Sequence, residues 1–194
     1  MAGTEVAIRG NDGNNVLMEG VRLIFKNFAG KEGQYNRAGD RNFAVVLEPE
    51  VAQAMTQDGW NVKQLRQREE DDAPTFYLPV AVGYRDKSGN PTRPPTVVLI
   101  TSRGRTNIGE DMIEMVDWAD IKTVDLIVRP YDWAVSGKTG RKAYLKSLYV
   151  VIDEDPLALK YADVPQIGSG GALELEAFDE NVIDGEVVSD EFAD

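Results

Sequence analysis

The chain has no cysteine and no histidine among its 194 residues. Without cysteine it can form no disulfide and do no thiolate chemistry. Without histidine it lacks the commonest general base, the usual zinc ligand and the middle member of most catalytic triads. Carboxylates and lysines can still transfer protons, and carboxylates can hold Mg²⁺. The double absence nonetheless points away from an enzyme and toward recognition by shape, charge and stacking, which need neither residue. No apolar run approaches the roughly 18–20 residues that cross a bilayer, so no membrane association is expected. The opening residues Met1-Ala2-Gly3-Thr4-Glu5-Val6 show no basic segment followed by an apolar one, so the expected location is the cytoplasm.

What is present is an uneven distribution of charge. The formal net charge is -12, from 21 basic and 33 acidic residues. Nine of the acids lie between Ile167 and Asp194, where there is no Lys or Arg. Residues 1–166 therefore carry 21 basic against 24 acidic residues, a net of -3. A near-neutral body with room for a basic surface is joined to an acidic tail. That tail ends on Ser189-Asp190-Glu191-Phe192-Ala193-Asp194, an aromatic set among carboxylates. Such a tail can compete for a cationic groove or dock on partner proteins, and Asp190, Glu191 and Phe192 are its expected partner-binding residues.

The pattern along the chain predicts a polar arm over residues 1–17, a body over 18–166 and a linker with a disordered acidic tail over 167–194. Strands are expected at 19–26, 42–47, 76–84 and 96–101, with a short one near 60–65. Pro79 places the 76–84 strand at an edge or a bulge. Residues 50–58 read as a helix, with Pro49 in its first turn and Gly59 closing it. Residues 110–118 read as a second, with Met112, Met115 and Val116 (or Ile113) on its apolar side. The clearest local pattern is a hairpin, with strands at 122–135 and 141–152 around a turn at 136–140. Strands dominate and do not alternate with helices. The fold expected is mainly β, an OB-fold-like antiparallel barrel with two short helices.

Two segments combine cations with aromatics. The loop between the first two strands of the body holds Lys26, Lys31, Arg37 and Arg41, with Phe28, Tyr35 and Phe43 among glycines. Phe43 sits in an apolar strand and reads as core, whereas Tyr35 lies in a polar loop and reads as a stacking residue. In the hairpin, strand alternation puts Arg129, Tyr131, Trp133 and Val135 on one face, and Lys142, Tyr144 and Lys146 on one face of the return strand. Lys138 and Arg141 lie beside the turn. Cations neutralise phosphates and aromatic faces stack on unpaired bases, so these segments suit a single nucleic-acid strand. Arg85, Lys87, Arg93, Arg103 and Arg105 form a weaker, scattered set. Glu69–Asp72, Asp111 and Asp153–Asp155 match no metal-ligand spacing, so no metal or cofactor is expected. Gly137-Lys138-Thr139-Gly140 lacks the upstream glycine and the following helix of a phosphate loop.

The stretch Phe25-Lys26-Asn27-Phe28-Ala29-Gly30-Lys31-Glu32-Gly33, with Asn36-Arg37 and Gly39-Asp40-Arg41-Asn42-Phe43, resembles phage-encoded single-stranded DNA-binding proteins. So do Arg129-Pro130-Tyr131-Asp132-Trp133 and Gly137-Lys138-Thr139-Gly140-Arg141-Lys142-Ala143-Tyr144-Leu145. The acidic tail is similar to tails of bacterial and phage single-strand binding proteins, although here Ala193 and Asp194 follow the aromatic. The resemblance implies an OB-like barrel that coats single-stranded DNA in replication or recombination and recruits replication proteins through its tail. DNA would meet Lys26, Lys31, Tyr35, Arg37, Arg41, Tyr131, Trp133, Lys138, Arg141, Lys142 and Tyr144, and the protein could act as a homo-oligomer. A β-rich structural or interaction protein, such as a virion component that binds no nucleic acid, is the alternative. A carboxylate-dependent metal nuclease ranks below both.

Overall fold

The computed structural model describes residues 6–7, 15–67, 73–86 and 88–165. The acidic tail, including Asp190, Glu191 and Phe192, lies outside them. The described residues fall into two units, one ending at Asp155 and one starting at Pro156.

In the first unit, β1 (Val6–Ala7), β2 (Val16–Val21), β3 (Leu23–Asn27) and β4 (Arg41–Leu47) lead into helix α1 (Pro49–Gln57). There follow β5 (Lys63–Gln64), β6 (Phe76–Val82), β7 (Thr96–Thr101), β8 (Gly104–Ile108) and the short helix α2 (Met115–Trp118). The unit ends with β9 (Ile121–Val135) and β10 (Lys138–Ile152). The second unit contributes a third helix, α3 (Pro156–Lys160), where the sequence suggested only a route into the linker. The start of β2 at Val16, and its pairing with Val6 and Ala7, places regular structure inside the segment expected to be an arm.

The strand path runs β1-β2-β9-β10-β6-β4-β3. Its two long ends, β2 and β3, are consecutive stretches of chain separated by Arg22 alone. The Arg22 carbonyl still accepts a hydrogen bond from the Val46 amide at 3.0 Å. The sheet therefore curls back on itself through one bent strand, as the OB-like expectation requires. Most pairings are antiparallel, but β10 runs parallel to β6 and β7, so the sheet is mixed. Along β9, Val124, Leu126 and Val128 are buried and alternate with half-buried neighbours, the period-2 signature of a strand with one face on the core. Ala143, Leu145, Leu148 and Val150 do the same from β10, with a register shift between Leu145 and Ser147 restoring the inward face.

Several local expectations change with the pairing. Strand β6 is not an edge, because β4 lies along one side of it and β5 and β10 share the other. Pro79 falls between the residues that meet β5 (Phe76, Tyr77) and those that meet β10 (Val80, Ala81), where the ladder on that side is interrupted. Strand alternation over 19–26 would set Phe25 beside Val21 and Leu23 on the inner face, but it does not join them. It adopts φ of 52° at a register shift and turns outward, edge-on to Tyr77 at 5.6 Å. In the second helical segment Ile113 and Val116 are buried, while Met112, Met115 and Trp118 are exposed. Strand β8, with its exposed Arg105, had no counterpart in the sequence reading, since four of its five residues face solvent and carry no apolar alternation.

Phe28 and Phe43 are both buried and stack at 5.0 Å between ring centroids. The Asp117 carboxylate accepts the Phe28 and Ala29 amides, each at 2.8 Å, and so fastens the start of the loop to α2. Phe28 thus belongs to the core despite its place among glycines. Phe28→Ala should destabilise the protein by about 3–5 kcal/mol in urea unfolding. A loss below 1 kcal/mol would contradict a core role.

Candidate nucleic-acid interface

The long hairpin turns at Ser136-Gly137, both with positive φ (50° and 78°), as a two-residue turn matched to strand twist requires. The expected five-residue turn is thus shortened, and Lys138, Thr139 and Gly140 belong to β10. Register then decides which side chains meet. Tyr144 lies opposite Arg129, Lys142 opposite Tyr131, Gly140 opposite Trp133 and Lys138 opposite Val135. Directly paired residues share a face, so the two sets read separately from the sequence form one surface. Tyr131 and Tyr144 meet edge to face at 5.8 Å, and the Lys142 ammonium lies 5.1 Å from the Tyr144 ring centre. Gly140 leaves room for the Trp133 indole, because a Cβ there would lie 2.7 Å from the ring.

This face continues across the barrel. Arg129, Tyr144, Ala81, Asn42 and Asn27 are successive partners on β9, β10, β6, β4 and β3, and all are half-buried. Their sequence neighbours Val128, Ala143, Val80 and Phe43 point into the core. The Asn42 side-chain Nδ2 donates to Asn36 Oδ1 at 2.7 Å. Asn36 in turn pairs with Gly33 around the turn that carries Tyr35, which is 89% exposed. The hairpin aromatics and the Tyr35 loop are therefore tied to one row of residues. The loop itself is braced by Asn27, which accepts the Lys31 amide at 2.8 Å and donates to the Lys31 carbonyl at 3.0 Å. At Gly30 (φ 67°) the chain passes so close to Gly39 and the Arg41 side chain that a Cβ would stand 3.2 Å from both.

The expected cations divide into two groups. Lys31, Arg37, Lys138 and Lys142 are exposed. Lys26, Arg41 and Arg141 are engaged with the protein. Lys26 donates to the Val116 and Ala119 carbonyls at the end of α2, at 3.0 and 3.5 Å. Arg41 lies over the Tyr84 ring, donates to the Phe28 carbonyl at 2.9 Å and pairs with Glu110 at 2.9 Å, which also reaches Arg85 at 3.7 Å. Burial pushes the Tyr84 hydroxyl above its ordinary pKa, and the Arg41 charge opposes that shift. Arg141 sits on the back of the hairpin between Asp132 and Asp58. Its hydrogen bond holds the Asp132 carboxyl below the usual carboxylate range. That contact is therefore complete at neutral pH and is lost only as pH falls through the depressed value.

Trp118 was missed by the sequence reading. It is 75% exposed on α2, with the Lys31 ammonium 4.9 Å from its ring centre. The signal lay in the spacing Ile113, Val116 against Met112, Met115, Trp118, which puts the tryptophan off the buried side.

A sequence model of the family described as "Putative phage ssDNA-binding domain" matches residues 7–193. The chain belongs to this family. Membership makes phage single-stranded DNA binding the function against which the face above is read. Solved structures of phage single-stranded DNA-binding proteins are also similar to it. That of bacteriophage Enc34, as a C-terminal truncation, is 11% identical with a TM-score of 0.46, over 79% of this chain and 97% of that one. The same phage's protein in complex with ssDNA is 12% identical with a TM-score of 0.47, again over 79% and 97%. The gp2.5 protein of bacteriophage T7 is 12% identical with a TM-score of 0.32, over 87% and 99%. No curated protein matches the chain.

Gly140→Ala probes the face without backbone strain, since Gly140 does not have positive φ. The methyl must displace the Trp133 indole. Binding of labelled oligo-dT should weaken by about 1–3 kcal/mol, the scale of one lost base stack, with the melting temperature little changed. Unchanged affinity would remove Trp133 from the interface.

Proposed function

We propose that the chain is a non-catalytic protein that coats single-stranded DNA during phage replication or recombination without reading base sequence. The observation that carries this reading is the shared face of Tyr131, Trp133 and Tyr144 with Lys138 and Lys142. Aromatic faces stack on any unpaired base, and the adjacent ammonium groups neutralise phosphates. A duplex presents no free base faces to such a platform, so discrimination against it follows from the chemistry. Tyr35, Lys31 and Arg37 extend the path over the loop tied to the same row. Lys26 adds positive potential to the path, while Arg41 and Arg141, whose charges are offset by adjacent carboxylates, hold the loop and the hairpin in place.

The tail completes the proposal on charge alone. Its nine carboxylates compete with DNA for the cationic path at low salt, and Asp190, Glu191 and Phe192 recruit replication proteins.

Titration of a labelled oligo-dT of about 30 nucleotides, the scale of a few single-strand sites, tests the reading. Full-length protein should bind it with steep salt dependence and bind duplex weakly. Tyr131→Ala and Tyr144→Ala should each cost about 1–3 kcal/mol. A form ending at Gly168 should bind more tightly at low salt. No binding by either form would overturn the reading, and equal affinity of the two forms at low salt would remove tail competition alone.

A further inference from the structure

Beyond Val128 on β9, pairing with β2 has ended, and before Ala143 on β10, pairing with β6 has not begun. Among the described residues, the stretch from Arg129 to Lys142 is therefore a two-stranded ribbon beyond the ladders of the barrel. A lone two-stranded ribbon is marginal in water. This one carries Tyr131 and Trp133, so its direction determines where a stacked base can sit.

On the side away from Tyr131 and Trp133, the turn Asp58–Asn61 after α1 braces it. The Arg141 amide donates to the Gly59 carbonyl at 2.8 Å, and the Asn61 amide donates to the Arg141 carbonyl at 3.0 Å. The Arg141 guanidinium donates through Nε to Asp132 at 2.7 Å and through Nη1 to Asp58 at 2.6 Å, and lies 5.6 Å from the Trp60 ring centre. The Trp60 indole N–H donates to the same Asp58 oxygen at 3.0 Å. Trp60 is buried, and α1 is anchored by buried Ala52 and Met55. The brace therefore connects the ribbon to the core.

Arg141 stands between Gly140, which faces Trp133, and Lys142, which faces Tyr131. Strand alternation sends its side chain to the opposite side, where it is 17% exposed with both carboxylates against it. Resting on the single-strand reading above, we propose that Arg141 is a positioning residue. With Asp58 and Asp132 it fixes the ribbon from behind so that Trp133 stacks, and it does not itself contact phosphate.

The sign of one substitution pair separates the two roles. Asp58→Ala with Asp132→Ala removes two negative charges near the DNA path and both side-chain acceptors of Arg141. If Arg141 were a phosphate ligand held back by carboxylates, oligo-dT binding would tighten and its salt dependence would steepen. As a positioning residue, its release should weaken binding about three- to tenfold, the scale of the net contribution of one ordinary hydrogen bond, with the salt slope unchanged. The loss should also depend on Trp133. In a Trp133→Ala background the same pair should change affinity less than twofold, a coupling that general loss of stability would not produce. Thermal unfolding of each variant checks the barrel. Tighter binding, unchanged binding, or an equal loss in both backgrounds overturns the proposal. Failure of the unmodified protein to bind overturns the single-strand reading instead.

Discussion

The antiparallel ladder between β9 and β10 is the constraint on which the rest of the structure depends. It joins two 15-residue strands through a two-residue turn. Outward from it, β2 adds to β9, while β6 and β7 add to β10. One face of its barrel half supplies Val124, Leu126, Val128, Leu145 and Leu148 to the core. The same register, carried past the barrel, sets Tyr131, Trp133, Lys142 and Tyr144 side by side. Core packing and the proposed binding face are thus two readings of one hydrogen-bond pattern. A slip of one residue would exchange them.

The division among the cations has a physical basis. Of the two arginines with internal roles, Arg41 combines a carboxylate, a backbone carbonyl and an aromatic ring, and the Arg141 guanidinium combines two carboxylates and a ring. A planar guanidinium with five donors can satisfy several partners at once. The exposed set is mainly lysine, with Arg37: Lys31 and Lys142 lie beside rings while remaining open to solvent. A compact ammonium on a flexible stem can follow phosphates whose positions vary along a mobile strand. Rigid cations hold the scaffold, and flexible ones are left facing solvent.

Much of this was legible in the sequence because it is local. Alternation gave the hairpin and its faces, Pro49 and Gly59 bounded α1, and the apolar run at Thr96–Thr101 is β7. What could not be read depends on contacts between distant segments. Nothing local places Asp58 against Arg141, 83 positions away, or Lys26 against the end of α2. Pro79 argued for an edge because a single strand does not reveal that its neighbours on one side change from β5 to β10. The outward turn of Phe25 needed the positive φ at a bulge, which an apolar residue conceals. Trp118 was overlooked because Met112 and Met115 are as apolar as Ile113 and Val116, so composition alone did not separate the buried side of the segment from the exposed one that carries the tryptophan.

The bent strand β2–β3 also bears on how the chain reaches this state. Its second half pairs with nearby β4, but its first half needs β9, more than a hundred residues later; the bond from the Gly20 amide to Asp125 spans 105 positions. Emerging from the ribosome, the β3–β4 pair and α1 can form early, while the edge of β2 that pairs with β9 has no partner until β9 has been made. Closure of the cylinder is a late, high-contact-order event. Until then the β2 edge carrying Val16, Met18 and Val21 is open to pairing with another nascent chain.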